Sequence, residues 1–174
     1  MRGFDFAKYN KIIIIGSPGS GKSWLSKRIA EITGLPLIHL DKEYHLPDWG
    51  KPSGEEWDAK IQDFISREKW IIDGNYNRTM EPRFAAAELV IWLNINRWVC
   101  MWSAARRTGT KRSDLPDYLE EPSIFNIEFL KFCKYIWKFP KTDRKTIINL
   151  RGKYPEKEFL HIKSRREVRK ILER

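Results

Sequence analysis

Residues 16–23, Gly-Ser-Pro-Gly-Ser-Gly-Lys-Ser, bring together glycines, a lysine and hydroxyls in one short run. Glycine lets a backbone turn tightly and bring its N–H groups against anionic oxygens. Lys22 adds a cation, and the Ser23 hydroxyl suits a hard divalent ion such as Mg²⁺. The spacing Gly-x-x-x-x-Gly-Lys-Ser is that of a phosphate-binding loop. Gly16, Ser17, Pro18, Gly19, Ser20, Gly21, Lys22, Ser23 and the adjoining Trp24 are therefore the expected nucleotide-binding segment, with ATP and Mg²⁺ as cofactors.

Further chemistry falls where apolar runs end. Asp73 closes Trp70-Ile71-Ile72 and is expected to hold Mg²⁺ with Ser23, directly or through water. Asp41 follows Leu37-Ile38-His39-Leu40, where it would orient a metal-bound water or take the proton of an acceptor hydroxyl. Phosphoryl transfer needs cations over the transferred group, and Arg106, Arg107, Lys111 and Arg112 form a basic cluster suited to it. Arg78 and Arg83 would hold the acceptor, and Trp49 in the 44–50 stretch would stack on a ring or serve in packing. His39, His45 and His161 follow no metal-ligand spacing.

The elements that must position these groups alternate. Ile12–Ile15 reads as a buried parallel strand running into the phosphate loop, and Leu25, Ile29 and Ile32 give the following helix one apolar face up to Gly34. Strands are expected at 37–40, 70–72, 89–93 and 158–162. Residues 41–54 read as loop, and Ser53-Gly54-Glu55-Glu56 as a capping box opening a helix with Trp57, Ile61, Phe64 and Ile65 inward. Helices are expected at 81–88, 97–107, 124–139 (stopped by Pro140) and 143–150. A last one follows a second capping box at Ser164–Glu167. This is the pattern of a parallel sheet covered by helices, in which ligands bind beyond the carboxyl ends of the strands.

The composition fits that reading. At 174 residues and 41% hydrophobic the chain can bury one substantial core. No apolar run reaches membrane-span length and no secretory signal is visible; with two cysteines outside any metal-ligand pattern, a cytoplasmic protein with reduced, buried thiols is expected. Residues 1–96 carry 13 basic and 13 acidic side chains, whereas 97–174 carry 20 and 10, so the second half holds the whole net charge of +10. A cationic clamp around polyphosphate and a nucleic-acid footprint both fit that asymmetry.

The loop Gly16-x-Pro18-Gly19-x-Gly21-Lys22-Ser23 and the strand-end Asp73-Gly74 resemble those of adenylate-kinase-like enzymes. Ile38-His39-Leu40-Asp41, Trp70-Ile71-Ile72-Asp73-Gly74-Asn75-Tyr76 and Gly109-Thr110-Lys111-Arg112-x-Asp114 more closely resemble bacterial DNA topology modulation proteins, over residues 11–172. The resemblance implies a three-layer nucleoside-monophosphate-kinase-type P-loop fold, an α/β architecture with five parallel strands in the order 2-3-1-4-5. It implies a single domain with a short lid-like segment over about 106–122, and Lys22, Ser23 and Asp73 in nucleotide and metal roles. Adenylate kinases carry Gly-Phe-Pro-Arg after the third strand, where this chain has Gly74-Asn75-Tyr76-Asn77, so AMP does not follow as acceptor. The leading expectation is a phosphotransferase acting from Mg-ATP on a nucleotide or other small acceptor. The alternatives are a DNA-associated ATPase and a nucleotide-binding protein with little turnover.

Overall fold

The computed structural model describes residues 3–107, 114–116 and 127–173. Five parallel strands form one sheet: β1 (Lys11–Gly16), β2 (Leu37–His39), β3 (Trp70–Asp73), β4 (Leu89–Leu93) and β5 (Glu158–Ile162), in the spatial order β2-β3-β1-β4-β5. The helices are α1 (Lys22–Thr33), α2 (Leu40–Tyr44), α3 (Gly54–Ser66), α4 (Met80–Ala86), α5 (Arg97–Arg107), α6 (Ile127–Lys153) and α7 (Arg165–Leu172).

β1 holds the centre because its side chains supply both cores. Ile12 and Ile14 join Leu25, Ile29, Ile91, Cys100 and Val168 on one face, while Ile13 and Ile15 join Trp57, Ile61, Ile72 and Phe84 on the other. All four isoleucines are fully buried. At about 1.5–3 kcal/mol per buried side chain, this strand alone rivals the net stability of an ordinary domain, about 5–15 kcal/mol. In-register pairing then fixes the strand ends relative to one another: Asp73 lies between His39 of β2 and Ile14 of β1, and Gly16 lies beside Leu93 of β4.

Three elements depart from the sequence expectation. Residues 41–54 are not all loop, and Asp41 does not follow a strand: β2 stops at His39, and Asp41 sits in the first turn of α2. The cause is tertiary, since Leu40 is fully buried and the Tyr44 ring packs on Trp57 and Tyr76, 4.8 and 4.6 Å between centroids. Pro140 does not stop a helix, because α6 runs through it. Ile136, Phe139, Asp143, Ile147 and Leu150 form one buried stripe at helical spacing across the proline, and that continuous burial outweighs the missing backbone donor. α4 begins at Met80 after a 3₁₀ turn at Asn77–Thr79 and ends at Ala86.

The two N-caps also differ. Ser53 and Glu56 exchange the reciprocal bonds of a capping box. Ser164 accepts from the Glu167 N–H, but the Glu167 carboxylate accepts from the Lys163 N–H and the Ser164 hydroxyl, not from the Ser164 N–H. Cys100 is buried and Cys133 half-buried, both as free thiols. Among the described residues no helix is long and apolar enough to cross a membrane.

Candidate functional site

The loop between β1 and α1 is shaped by backbone that only glycine tolerates. Gly19 has φ +78°, and a Cβ there would lie 2.2 Å from the Cys100 carbonyl oxygen of α5. Gly21, the N-cap of α1, has φ +99° with open space around it, so conformation alone demands glycine. Among the described residues no side chain caps α1, in contrast to Ser53 on α3 and Ser164 on α7. The first N–H groups of α1 and the positive end of its dipole are thus available to an anion. Lys22 Nζ lies across the loop, donating to the carbonyls of Gly16 at 2.9 Å and Ser17 at 3.2 Å. The Ser20 hydroxyl is buried with no hydrogen-bond partner among the described residues. Uncapped amides, a lysine over the loop and an orphaned hydroxyl fit a polyphosphate chain.

The turn after β3 locks this loop in place. The Asn75 side chain accepts from the Gly16 N–H at 2.9 Å and donates to the Gly16 carbonyl at 2.8 Å, a reciprocal pair in a buried position. The next residue, Tyr76, donates its phenol to Asp41 at 2.9 Å and packs against Tyr44 and Trp57. Burial and the neighbouring Asp41 carboxylate push the Tyr76 phenol far above its ordinary range, so Tyr76 is the donor of that bond. Tyr135 of α6, pushed up to about 12 by burial and by Asp143, also lies beside Asn75 and Asp41. Asp143, buried on α6, accepts from Asn77 at 2.6 Å and thereby ties α6 to the same turn.

Several expected site residues have other duties. Arg83 is fully buried and donates to the carbonyls of Gly74, Asn75, Tyr76 and Thr79; it shapes the turn and does not face an open acceptor site. Its burial lowers the guanidinium pKa, and the four carbonyls answer the charge. Arg78 is exposed and forms a forked pair with Asp58 of α3, at 2.7 Å at its shortest. Asp73 is buried, accepts from Ser26 at 2.8 Å and pairs with His39 Nδ1 at 3.0 Å. The Ser23 hydroxyl instead donates to Asp114, at 2.5 Å.

Arg107 is half-buried in the last turn of α5, whereas Arg106 beside it is exposed. Arg107 lies with Lys22 and Arg165 in the electrostatic surroundings of the buried Cys100 thiol, whose pKa burial raises. Trp24 is 53% exposed. Lys111 and Arg112 lie outside the described residues.

Sequence reasoning assigned no role to Asn75, Tyr76, Asp114 or Arg165. Two signals pointed to them. Asn75 and Tyr76 continue the β3 end, and Arg165 follows β5, as the strand-end rule would have it. Asp114 closes a motif already noted for its basic residues.

No family model matches the chain, so the likeness to DNA topology modulation proteins rests on the quoted motifs alone. Adenylate kinases of Thermotoga petrophila and Thermotoga maritima are each 30% identical to this chain over 74 residues, 42% of this chain and 33% of theirs. The aligned stretch spans only about a third of the length of those curated relatives. Among solved structures, shikimate kinase from Acinetobacter baumannii in complex with shikimate covers 96% of this chain and 93% of its own, with TM-score 0.58 and 14% identity. Shikimate kinase from Bacteroides thetaiotaomicron covers 94% of each chain, with TM-score 0.51 and 15% identity. With its strand order and its loop between β1 and α1, the chain has the α/β fold of P-loop kinases.

Proposed function

We propose that the protein is a P-loop phosphotransferase that moves the γ-phosphoryl group of ATP to a hydroxyl or phosphate oxygen of a small acceptor. The observation that carries this reading is the pair Asn75–Tyr76. Consecutive residues of one turn grip the phosphate loop at Gly16 and the Asp41 carboxylate, so two groups of complementary chemistry are held by one rigid connector.

In this reading the loop amides of residues 16–23 and Lys22 receive the phosphates, and Arg107 and Arg165 add positive charge from the α5 and α7 side. Asp41, oriented by Tyr76, takes the proton of the acceptor hydroxyl. The acceptor oxygen bonds to the γ-phosphorus as the bond to the β–γ bridging oxygen breaks, and ADP leaves with that electron pair. Ser23 would hold Mg²⁺, which would neutralise charge on the β- and γ-phosphate oxygens. Tyr44 and Tyr76, half-buried and packed on the buried Trp57, give the acceptor side aromatic surface, which suits a ring-bearing acceptor such as a nucleotide or a cyclic polyol.

The test is product separation after incubation with Mg-ATP and a panel of nucleoside monophosphates and small hydroxylated metabolites, with Lys22→Ala in parallel. A phosphorylated acceptor formed by the wild type and lost in the variant supports the reading. ADP and free phosphate alone, whatever acceptor is present, would refute transfer and leave an NTPase.

A further inference from the structure

The strand-end acid of β3 is the expected metal carboxylate of the site, yet it already accepts from Ser26 and lies against the His39 ring. Asp73 Oδ2 accepts from the Ser26 hydroxyl at 2.8 Å, and both oxygens lie 3.0 Å from His39 Nδ1. The hydroxyl suited to a divalent ion, Ser23 Oγ, is met by a carboxylate from a different part of the chain, Asp114 Oδ2. That contact is built into the fold. Asp114 is 6% exposed and the following Leu115 is 5% exposed, so the Asp-Leu pair is anchored in the protein and does not swing on the surface.

Magnesium is held by few protein oxygens, with one or two carboxylates completed by substrate phosphates and water. One hydroxyl and one carboxylate at the start of α1, beside amides open to phosphate, make such a partial set. Among the described residues no cluster of three or more His, Cys, Asp or Glu side chains could hold a metal alone, so a cation there would need the nucleotide's phosphates.

We infer that Ser23 and Asp114 form the protein half of a divalent-cation site, so that the metal carboxylate comes from the segment after α5 and not from the end of β3. This rests on the phosphotransferase reading only in requiring a nucleotide in the loop. Its consequence is that metal binding and the position of Asp114 are coupled: the nucleotide–metal complex is gripped from Ser23 of α1 and from Asp114 together, whereas free nucleotide engages the loop alone.

The experiment uses the full chain, ADP, and Mn²⁺ as a paramagnetic probe. ADP affinity is measured by calorimetry with Mn²⁺ and with EDTA, and bound Mn²⁺ is read by electron paramagnetic resonance. For Asp114→Asn the expected result is an Mn²⁺ affinity in the ADP complex lowered by about 10–100-fold, with ADP binding in EDTA unchanged. Asp73→Asn should keep wild-type Mn²⁺ affinity. Because Asp114 is buried, Asp114→Cys provides a second reading: the thiolate should restore binding with Cd²⁺ but not with Mg²⁺, a switch that a purely structural contact would not produce.

Wild-type Mn²⁺ affinity in Asp114→Asn, or a loss confined to Asp73→Asn, would overturn the inference. So would the absence of any Cd²⁺ rescue. Failure of the wild type to bind ADP in both metal and EDTA would overturn the phosphotransferase reading itself, a result distinct from loss in the metal arm alone.

Discussion

The phosphate loop and the Asp41 side of the site lie against the same turn but are built from different materials. Between β1 and α1 the working groups are backbone amides. The side chains that matter there are absent (Gly19, Gly21), small hydroxyls (Ser20, Ser23) or a single cation (Lys22). Around Asp41 they are side chains that hold one another: a phenol on a carboxylate, three aromatic rings in contact, and an arginine threaded under the turn. A backbone site recognises what every nucleoside triphosphate shares. A side-chain site carries discrimination, because each of its contacts can be altered singly.

If the two regions differ in this way, substitutions should separate them, and Lys22→Ala should have the largest effect. Removal of a charged donor at the transferring group lowers kcat/KM by about 10²–10³-fold, measured for whichever acceptor the product analysis identifies. Asn75→Ala strikes the connector. It leaves the buried Gly16 N–H without its side-chain partner, and the Gly16 carbonyl with Lys22 as its remaining side-chain donor, which costs about 1–3 kcal/mol of stability. Urea unfolding checks that figure, and a weakened ATP titration should accompany it.

Tyr76→Phe sharpens the contrast, since it removes only the donor to Asp41. The acceptor KM should rise by about 2–10-fold, the equivalent of one ordinary hydrogen bond, while ATP affinity stays put. An equal fall in ATP affinity would break the division between the two regions.

The smallest effect lies outside both. His161 stacks on Trp92 at 4.3 Å and pairs with Asn94 at 3.0 Å. Burial, then Lys163, Arg144 and Arg151, lower its pKa from the ordinary 6.5. The unfolded chain therefore takes up a proton here before the folded one does. Stability is unaffected above pH 6.5 and falls as pH drops through 6.5 towards the lowered folded value. His161→Gln should flatten that limb of a pH series of melting temperatures without altering nucleotide binding.

The same contrast explains how much could be read from the chain itself. The four-isoleucine strand and the glycine-shaped turn into α1 were legible, because β-branched runs and glycine spacing express local backbone requirements, while the strand order was expected from the family resemblance. The surroundings of Asp41 were not. Asp41 was placed at a strand end, and only the burial of Leu40 and the rings around Tyr44 turn that stretch into α2. Arg83 was read as an acceptor clamp because sequence cannot tell a solvent-facing arginine from one bonded to four carbonyls of the preceding turn. Pro140 was read as a stop, although a buried stripe spaced over Ile136–Leu150 carries α6 through it. The pairing of Asp73 with Ser26 and His39, and of Ser23 with Asp114, depends on contacts 34 to 91 residues apart, which no local pattern encodes.

The central claim is that the phosphate loop delivers a phosphoryl group to an acceptor held at Asp41. The most direct test follows the fate of γ-labelled phosphate in the wild type and in Asp41→Asn, with ATP binding measured on both. The account predicts label on an organic acceptor in the wild type, and ATP affinity retained but transfer lost in the variant. Label released only as inorganic phosphate by the wild type, or transfer undiminished in Asp41→Asn, would contradict it.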